Sequence, residues 1–207
     1  MEAADAHLAQ DPVMAGLIED FGGPLPLEHD SRGRPSDVYG ALLRSITGQQ
    51  LSVQAARAIY GRLTERFGGR PPTPRELLDD DPDELRAAAG LSHAKVRSLR
   101  SLAEHVLDGE LELERLDVLD DGEAIRELVA VKGIGEWTAH MFLMFTLKRP
   151  DVLATGDSGI RNAIMRAYGL DAAPDVAAMT AIAEPWRPYR TRACLYLWRS
   201  LDNAPAV

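Results

Sequence analysis

The chain has 207 residues, is 45% hydrophobic and 27% charged, and carries a net charge of −9, which suits one globular unit or two small lobes with real cores. Its single cysteine, Cys194, excludes an internal disulfide and any zinc or iron–sulfur site built from several cysteines. Residues 1–31 contain no Lys or Arg and no long apolar run, unlike a secretory signal, and the run Met141 to Phe145 is too short to cross a bilayer, so a soluble cytoplasmic protein without a membrane partner is expected.

In chain order, residues 1–31 predict a short helix from Pro12 to Asp20 and then an irregular connector rich in Pro and Gly. Asp37 caps a helix with Val38, Leu42, Leu43 and Ile46 at helical spacing, which pauses at Thr47-Gly48-Gln49-Gln50. A second helix starts near Ser52, with Val53, Ala56, Ile59, Tyr60, Leu63 and Phe67 on one side, and ends at Gly68-Gly69 and Pro71-Pro72. Thr73-Pro74 and Asp81-Pro82 are helix starts, because proline at the first helical position loses no needed donor. Gly90 breaks the chain, and Ser92 caps a longer helix with Val96, Leu99, Leu102, Ala103 and Val106 inward.

Asp120 or Asp121 opens the next helix, which ends at the turn Gly133-Ile134-Gly135 and leads into a helix carrying Trp137; this helix-hairpin-helix covers about residues 121–147. Gly156-Asp157-Ser158 starts another helix, with Ile160, Ile164 and Tyr168 inward and Gly169 as its stop. Helices over about Asp175–Ala183 and Tyr189–Leu201 complete the chain. Nothing alternates like a strand, and about ten helices joined by short turns define an all-α fold.

Charge is uneven along this series. Residues 1–31 hold seven acids and no bases, 32–70 seven bases and two acids, 71–127 sixteen acids and seven bases, and 128–207 nine bases and seven acids. The second and fourth blocks would suit a nucleic-acid face, although solvated helix faces are the more ordinary reading of charge alone.

The glycine turn has a simple chemistry. Glycines leave no Cβ in the way of an approaching group, and the turn opens onto a helix N-terminus, where unpaired N–H groups favour a phosphate. Ile134 would anchor it, and the carbonyls of Val129, Val131 and Ile134 would hold a monovalent cation. Taken alone, a plain helical hairpin explains the turn and an N-cap explains Asp157.

The turn LVAVKGIGEWTA, followed about twenty residues on by DVLATGDSGI, resembles the helix-hairpin-helix plus Gly/Pro-Asp pattern of a superfamily of DNA base-excision glycosylases. Within it the chain resembles the alkylation-repair branch, the DNA-3-methyladenine glycosylase II type in its compact form. The resemblance runs over roughly 36–201 and includes LLRSITGQQLSVQAA (42–56), GLSHAKVRSLRSLA (90–103) and WRPYRTRACLYLW (186–198).

The resemblance implies two helical lobes with a DNA-binding cleft between them. It implies a monomer acting on damaged double-stranded DNA, with no required cofactor and a structural Na+ or K+ ion at the hairpin. Asp157 becomes the catalytic carboxylate, ionised beside a helix N-terminus. At about 4 Å and an effective dielectric of 20 it would stabilise an oxocarbenium-like sugar by roughly 4 kcal/mol, near three decades of rate. Trp137 stands where bifunctional relatives carry a lysine, so base release without strand cleavage is expected.

Further roles follow from the same resemblance. Trp137, Tyr189, Trp186 and Met141 would form the pocket for a cationic methylated base, whose charge aromatic faces attract; Trp186 and Trp198 are equally readable as core. Gln50, or next to it Leu51, would fill the gap left by an extruded base. Gly133, Ile134, Gly135, Lys132 and Thr138 would hold the DNA backbone, with Lys95, Arg161 and Arg190 as further phosphate contacts. His93, His105 and His140 lack metal-ligand spacing. The alternative is a non-catalytic helix-hairpin-helix DNA-binding protein, which would need neither Asp157 nor the aromatic tail.

Overall fold

Side-chain caps set most of the helix starts in this chain, and proline follows the cap in three of them. The structure, a computed structural model, describes residues 3–24 and 37–201. The connector beyond Pro24, with Arg32 and Arg34, lies outside the described residues. Within them are twelve α-helices, two single 3-10 turns (Leu113–Arg115 and Glu184–Trp186) and no strand. The α-helices are α1 (Ala3–Leu8), α2 (Pro12–Phe21), α3 (Val38–Gly48), α4 (Val53–Arg66), α5 (Pro74–Asp79), α6 (Pro82–Ala89), α7 (His93–Leu107), α8 (Asp121–Ala130), α9 (Glu136–Phe145), α10 (Ser158–Ala167), α11 (Val176–Ala183) and α12 (Arg190–Ser200). None of them is long and apolar enough to cross a membrane.

The fold is all-α, as the spacing predicts, and the predicted caps form. Asp37, Ser52, Thr73, Asp81, Ser92, Asp120, Asp157 and Asp175 each accept a backbone N–H at the start of their helix. Thr73 and Asp120 add reciprocal capping boxes with Glu76 and Glu123. Two features depart from the sequence reading. The six-residue α1 was not expected, having no sequence signature. Val53 was expected to face inward but is 39% exposed, because it opens α4 ahead of the stretch that buries Tyr60 and Leu63.

The described residues divide into two compact units, one from 37–142 and one from 3–24 with 143–201, the division falling within α9. In the first, α7 packs on α3, α5 and α6. Leu42, Leu43, Ile46, Leu63, Leu77, Leu85, Leu99 and Leu102 are fully buried there; truncating one of these leucines to alanine in such a core costs roughly 2–5 kcal/mol. In the second, α12 packs on α2 and α10 and is buried over most of its circumference, from Ala193 to Trp198, as expected of a helix at the centre of its unit.

Two aspartates tie the N-terminal helices into that second unit. Asp5 accepts Arg192 Nε and Nη2, at 2.6 and 2.8 Å, and the Tyr196 hydroxyl at 2.9 Å. The Arg192 contact, aided by Tyr196, outweighs burial and holds its carboxyl below the ordinary value. Asp11 caps α2 with Oδ1, while Oδ2 accepts the Tyr168 hydroxyl and, at 3.1 Å, the Trp186 indole N–H. Burial pushes the Asp11 carboxyl up, but these donors together bring it below the ordinary value.

Candidate active site

Asp157 is delivered by an extended segment that α12 holds in place. The Thr191 hydroxyl donates to Arg149 O at 2.6 Å and accepts the Val152 N–H at 3.0 Å, and the Thr191 N–H donates to Pro150 O at 3.0 Å. Arg190 grips Asp151 through Nε and Nη2, at 2.7 and 2.9 Å, and Arg187 adds a third contact at 2.8 Å. Arg190 is therefore engaged within the fold rather than standing ready for a phosphate. Val152, Leu153 and Ala154 are buried, and the Asp157 N–H closes a turn on Ala154 O at 3.0 Å. Behind them Cys194 is fully buried, and burial pushes its thiol up to about 12, which makes it a poor nucleophile.

Asp157 as a residue is 8% exposed. Its Oδ1 accepts two hydrogen bonds, from the Ile160 N–H at 2.8 Å and the Trp198 indole N–H at 3.0 Å. Trp198 is itself buried and stacks on Phe145, with ring centroids 6.1 Å apart. A Cβ on Gly159 would lie 2.9 Å from Asp157 Oδ1 and 3.5 Å from the Trp198 ring, so only glycine leaves this arrangement undisturbed. In the sequence Trp198 reads only as core, and its bond to Asp157 and the part of Gly159 go unseen there. The one signal available was an indole N–H on a helix otherwise buried, which needs an acceptor.

The hairpin is docked on α7. The Ile134 N–H turns back to Val131 O at 3.0 Å, Ile134 is buried, and the Lys132 N–H donates to Ser101 Oγ at 3.1 Å. Gly133 has φ +87°, and a Cβ there would meet Ser98 Oγ at 2.2 Å; a Cβ on Gly135 would meet nothing within 4 Å. The two glycines thus serve different ends, the first close packing and the second an open approach. The first helical bond of α9 runs from the Ala139 N–H to Gly135 O at 3.0 Å, so the Thr138 N–H precedes the ladder, while the Thr138 side chain is buried. Lys132 is exposed. Lys95 is not at large for a phosphate: its Nζ donates to Thr47 O at 2.6 Å, and burial pushes its ammonium down.

The remaining predicted residues fall in several settings. Gln50 is exposed and Leu51 half-buried, in the turn between α3 and α4. Trp137 is half-buried in the first turn of α9, and Met141, on the same helix, is 1% exposed. Tyr189 is half-buried at the start of α12, edge-on to His7 at 5.4 Å between centroids. Trp186 is corrected from pocket to core: it is 0% exposed and its indole N–H is spent on Asp11. Arg161 donates to Pro174 O at 2.6 Å. His105 bonds Ser101 O at 2.8 Å, and burial pushes His140 below its ordinary value. Among the described residues no His, Cys, Asp or Glu cluster could hold a metal ion.

A glycine turn with nothing within 4 Å of a Cβ built on Gly135, and one acid held at a helix start by an indole, point to a class. The chain belongs to the HhH-GPD superfamily of base excision DNA repair proteins, whose family model matches residues 43–188. It is 37% identical over 200 residues to DNA-3-methyladenine glycosylase 1 of Schizosaccharomyces pombe, covering 95% of this chain and 86% of that one. The solved structure of 3-methyladenine DNA glycosylase Mag1 from the same yeast, in complex with abasic DNA, superposes with a TM-score of 0.80 at 33% identity, over 98% of each chain. A DNA-3-methyladenine glycosidase of Bacillus halodurans gives a TM-score of 0.82 at 36% identity, over 96% of this chain and 89% of that one.

Proposed function

We propose that this protein is a monofunctional DNA glycosylase that extrudes alkylated bases, 3-methyladenine and 7-methylguanine foremost, from duplex DNA and hydrolyses their glycosidic bond, acting as a monomer in the cytoplasm. The observation that carries the proposal is the Asp157 carboxylate, fixed through Oδ1 by the Ile160 and Trp198 N–H groups. A mere DNA-binding module has no use for an acid so constrained.

In the reaction the bond between C1′ and the base nitrogen breaks and its electron pair leaves with the base. A cationic methylpurine therefore departs neutral, and the sugar is left as an oxocarbenium-like cation. Asp157 stabilises that cation electrostatically. Water adds to C1′, its proton passes to Asp157 or solvent, and the product is an abasic site. Trp137 stands where a Schiff-base lysine would be needed for strand cleavage, so the reaction ends there.

The hairpin holds the DNA backbone, with Gly135 and the start of α9 facing a phosphate and Lys132 adding charge. Gln50 fills the gap in the stack, with Leu51 beside it. Tyr189, half-buried in the unit that carries Asp157, offers an aromatic face to the cationic base, whereas Met141, 1% exposed, packs in the core of its own unit. The carbonyls of Val129, Val131 and Ile134 suit a Na+ or K+ ion, being oxygen donors without formal charge. Val131 O already accepts the Ile134 N–H but keeps a second lone pair. When bound, such an ion would add positive charge beside the phosphate; catalysis needs no other cofactor.

The test is base release from methylated duplex DNA. Asp157→Asn is expected to bind abasic-site DNA like wild type while losing roughly two to three decades of release rate, in proportion to about 3–4 kcal/mol of lost transition-state stabilisation. Release at the wild-type rate by this variant would overturn the mechanism, and a covalent DNA adduct trapped by borohydride would overturn the monofunctional assignment.

A further inference from the structure

The turn between α3 and α4 is held at two points, and neither hold is local. Gly48 O accepts the Leu51 N–H at 3.2 Å. Gln49 has φ −52° and ψ 133°, and Gln50 has φ 59°. These values define a type II β-turn with Gln50 at the position that favours glycine. From the base of the turn, Thr47 O accepts Lys95 Nζ. From its middle, Gln49 Nε2 donates to Gly133 O at 2.8 Å and to Thr138 Oγ1 at 3.4 Å, across 84 and 89 residues of chain. Gly133 is itself locked against Ser98 of α7. Gln49 thus bridges a turn whose exposed tip is Gln50 to the hairpin immediately ahead of α9.

We propose that Gln49 is a positioning residue, a clasp that fixes the plug-bearing turn to the hairpin so that gripping the DNA backbone and inserting Gln50 happen as one step. The inference rests on the reading of Gln50 as the plug. Its physical content is a shared carbonyl. Gly133 O belongs to the turn that faces the phosphate, and the amide of Gln49 takes its direction from that oxygen. The next residue, Gln50, is then aimed by a backbone whose preceding side chain is already anchored. Without the clasp, the type II turn with its unfavoured Gln50 is free to relax, and the energy of phosphate binding no longer drives the plug into the stack.

The test compares single-turnover release of 7-methylguanine from two duplexes, one with cytosine opposite the lesion and one with a baseless spacer opposite, where little pairing must be broken. Gln49→Met removes the donor at constant length. It is expected to slow release from the paired duplex about tenfold, the equivalent of roughly 1.4 kcal/mol, and to slow the spacer duplex less than about threefold, within the worth of one neutral hydrogen bond. Gln49→Glu, which turns an acceptor toward the Gly133 carbonyl, should be at least as severe on the paired duplex. Added to Gln50→Ala, Gln49→Met should have no further effect, since it acts through Gln50.

Both duplexes are measured on the same preparation, so partial unfolding lowers both rates and cancels in their ratio. An unchanged ratio in both Gln49 variants, or effects of Gln49→Met and Gln50→Ala that add, would overturn the clasp. If Gln50→Ala itself fails to penalise the paired duplex selectively, the plug assignment fails first, and the clasp with it.

Discussion

The hairpin and the acid are built on opposite plans. Around the hairpin, side chains of α7 and the preceding turn serve the main chain: Ser101 accepts the Lys132 N–H, Lys95 and Gln49 donate to the carbonyls of Thr47 and Gly133, and Ser98 packs into the space Gly133 leaves. What is presented there is backbone, and no outward side chain is indispensable to its shape. Around the acid, the main chain and α12 serve one side chain: Thr191 and Arg190 set the path of residues 149–154, and Ile160 and Trp198 then fix Asp157. Holding a phosphate needs a concave set of N–H groups whatever residues carry them, whereas stabilising a cation at one atom needs one carboxylate in one place.

The contrast can be broken most severely at Gly133. Gly133→Ala places a Cβ 2.2 Å from Ser98 Oγ at φ +87°, and left-handed strain with overpacking should cost about 3 kcal/mol. That corresponds to a loss of roughly 6–12 °C in Tm for a chain of this size. A shift of a degree or two would mean that α7 yields easily and that the hairpin is less tightly docked than described.

On the acid's side, Trp198→Phe keeps the ring that stacks on Phe145 but removes the N–H to Asp157. Single-turnover base release should fall about tenfold, the worth of roughly 1.4 kcal/mol, with DNA affinity unchanged. Equal losses in rate and affinity would make Trp198 a packing residue only.

Acid pH should act on the Asp157-bearing unit through Asp5 and Asp11. Both carboxyls are held below their ordinary 3.8 in the fold, so the stability they add is complete above about pH 4 and is lost as pH falls through the depressed folded values. Asp5→Asn and Asp11→Asn should flatten the dependence of Tm on pH on the acid side; a dependence as steep as wild type in both would remove these residues from the account.

The smallest effect belongs to Gly135→Ala. With nothing within 4 Å of a new Cβ, Tm should move by no more than about 0.5 kcal/mol equivalent, while DNA affinity drops a few-fold as the methyl crowds the phosphate. The two glycines of one turn would then separate stability from binding.

Legibility in the sequence followed the reach of each interaction. Caps act within three residues, so Thr73, Asp81, Ser92 and Asp120 announced their helices, and the Gly133-Ile134-Gly135 turn announced the hairpin between α8 and α9. Partners distant in sequence left no trace. Trp186 was placed in the pocket by the family resemblance, because nothing nearby reveals that Asp11, 175 residues away, takes its N–H. Arg190 and Lys95 were read as phosphate ligands for the same reason: an Arg or Lys in the sequence states its charge but not whether an Asp151 or a Thr47 carbonyl has already claimed it. Gln49 was passed over in favour of Gln50, since the two are chemically identical and only their backbone angles assign one to the hairpin and the other to the solvent.

The left-handed Gln50 has a consequence for anyone who would evolve or redesign this protein. A glycine there relieves about 1 kcal/mol of backbone strain, so a selection for heat resistance alone will find Gln50→Gly early and score it as an improvement. With Gln50 in its proposed role as plug, the variant would survive longer at high temperature and repair less DNA. Screens for robustness should therefore carry a base-release assay from the first round, because at this position the thermometer and the substrate select in opposite directions.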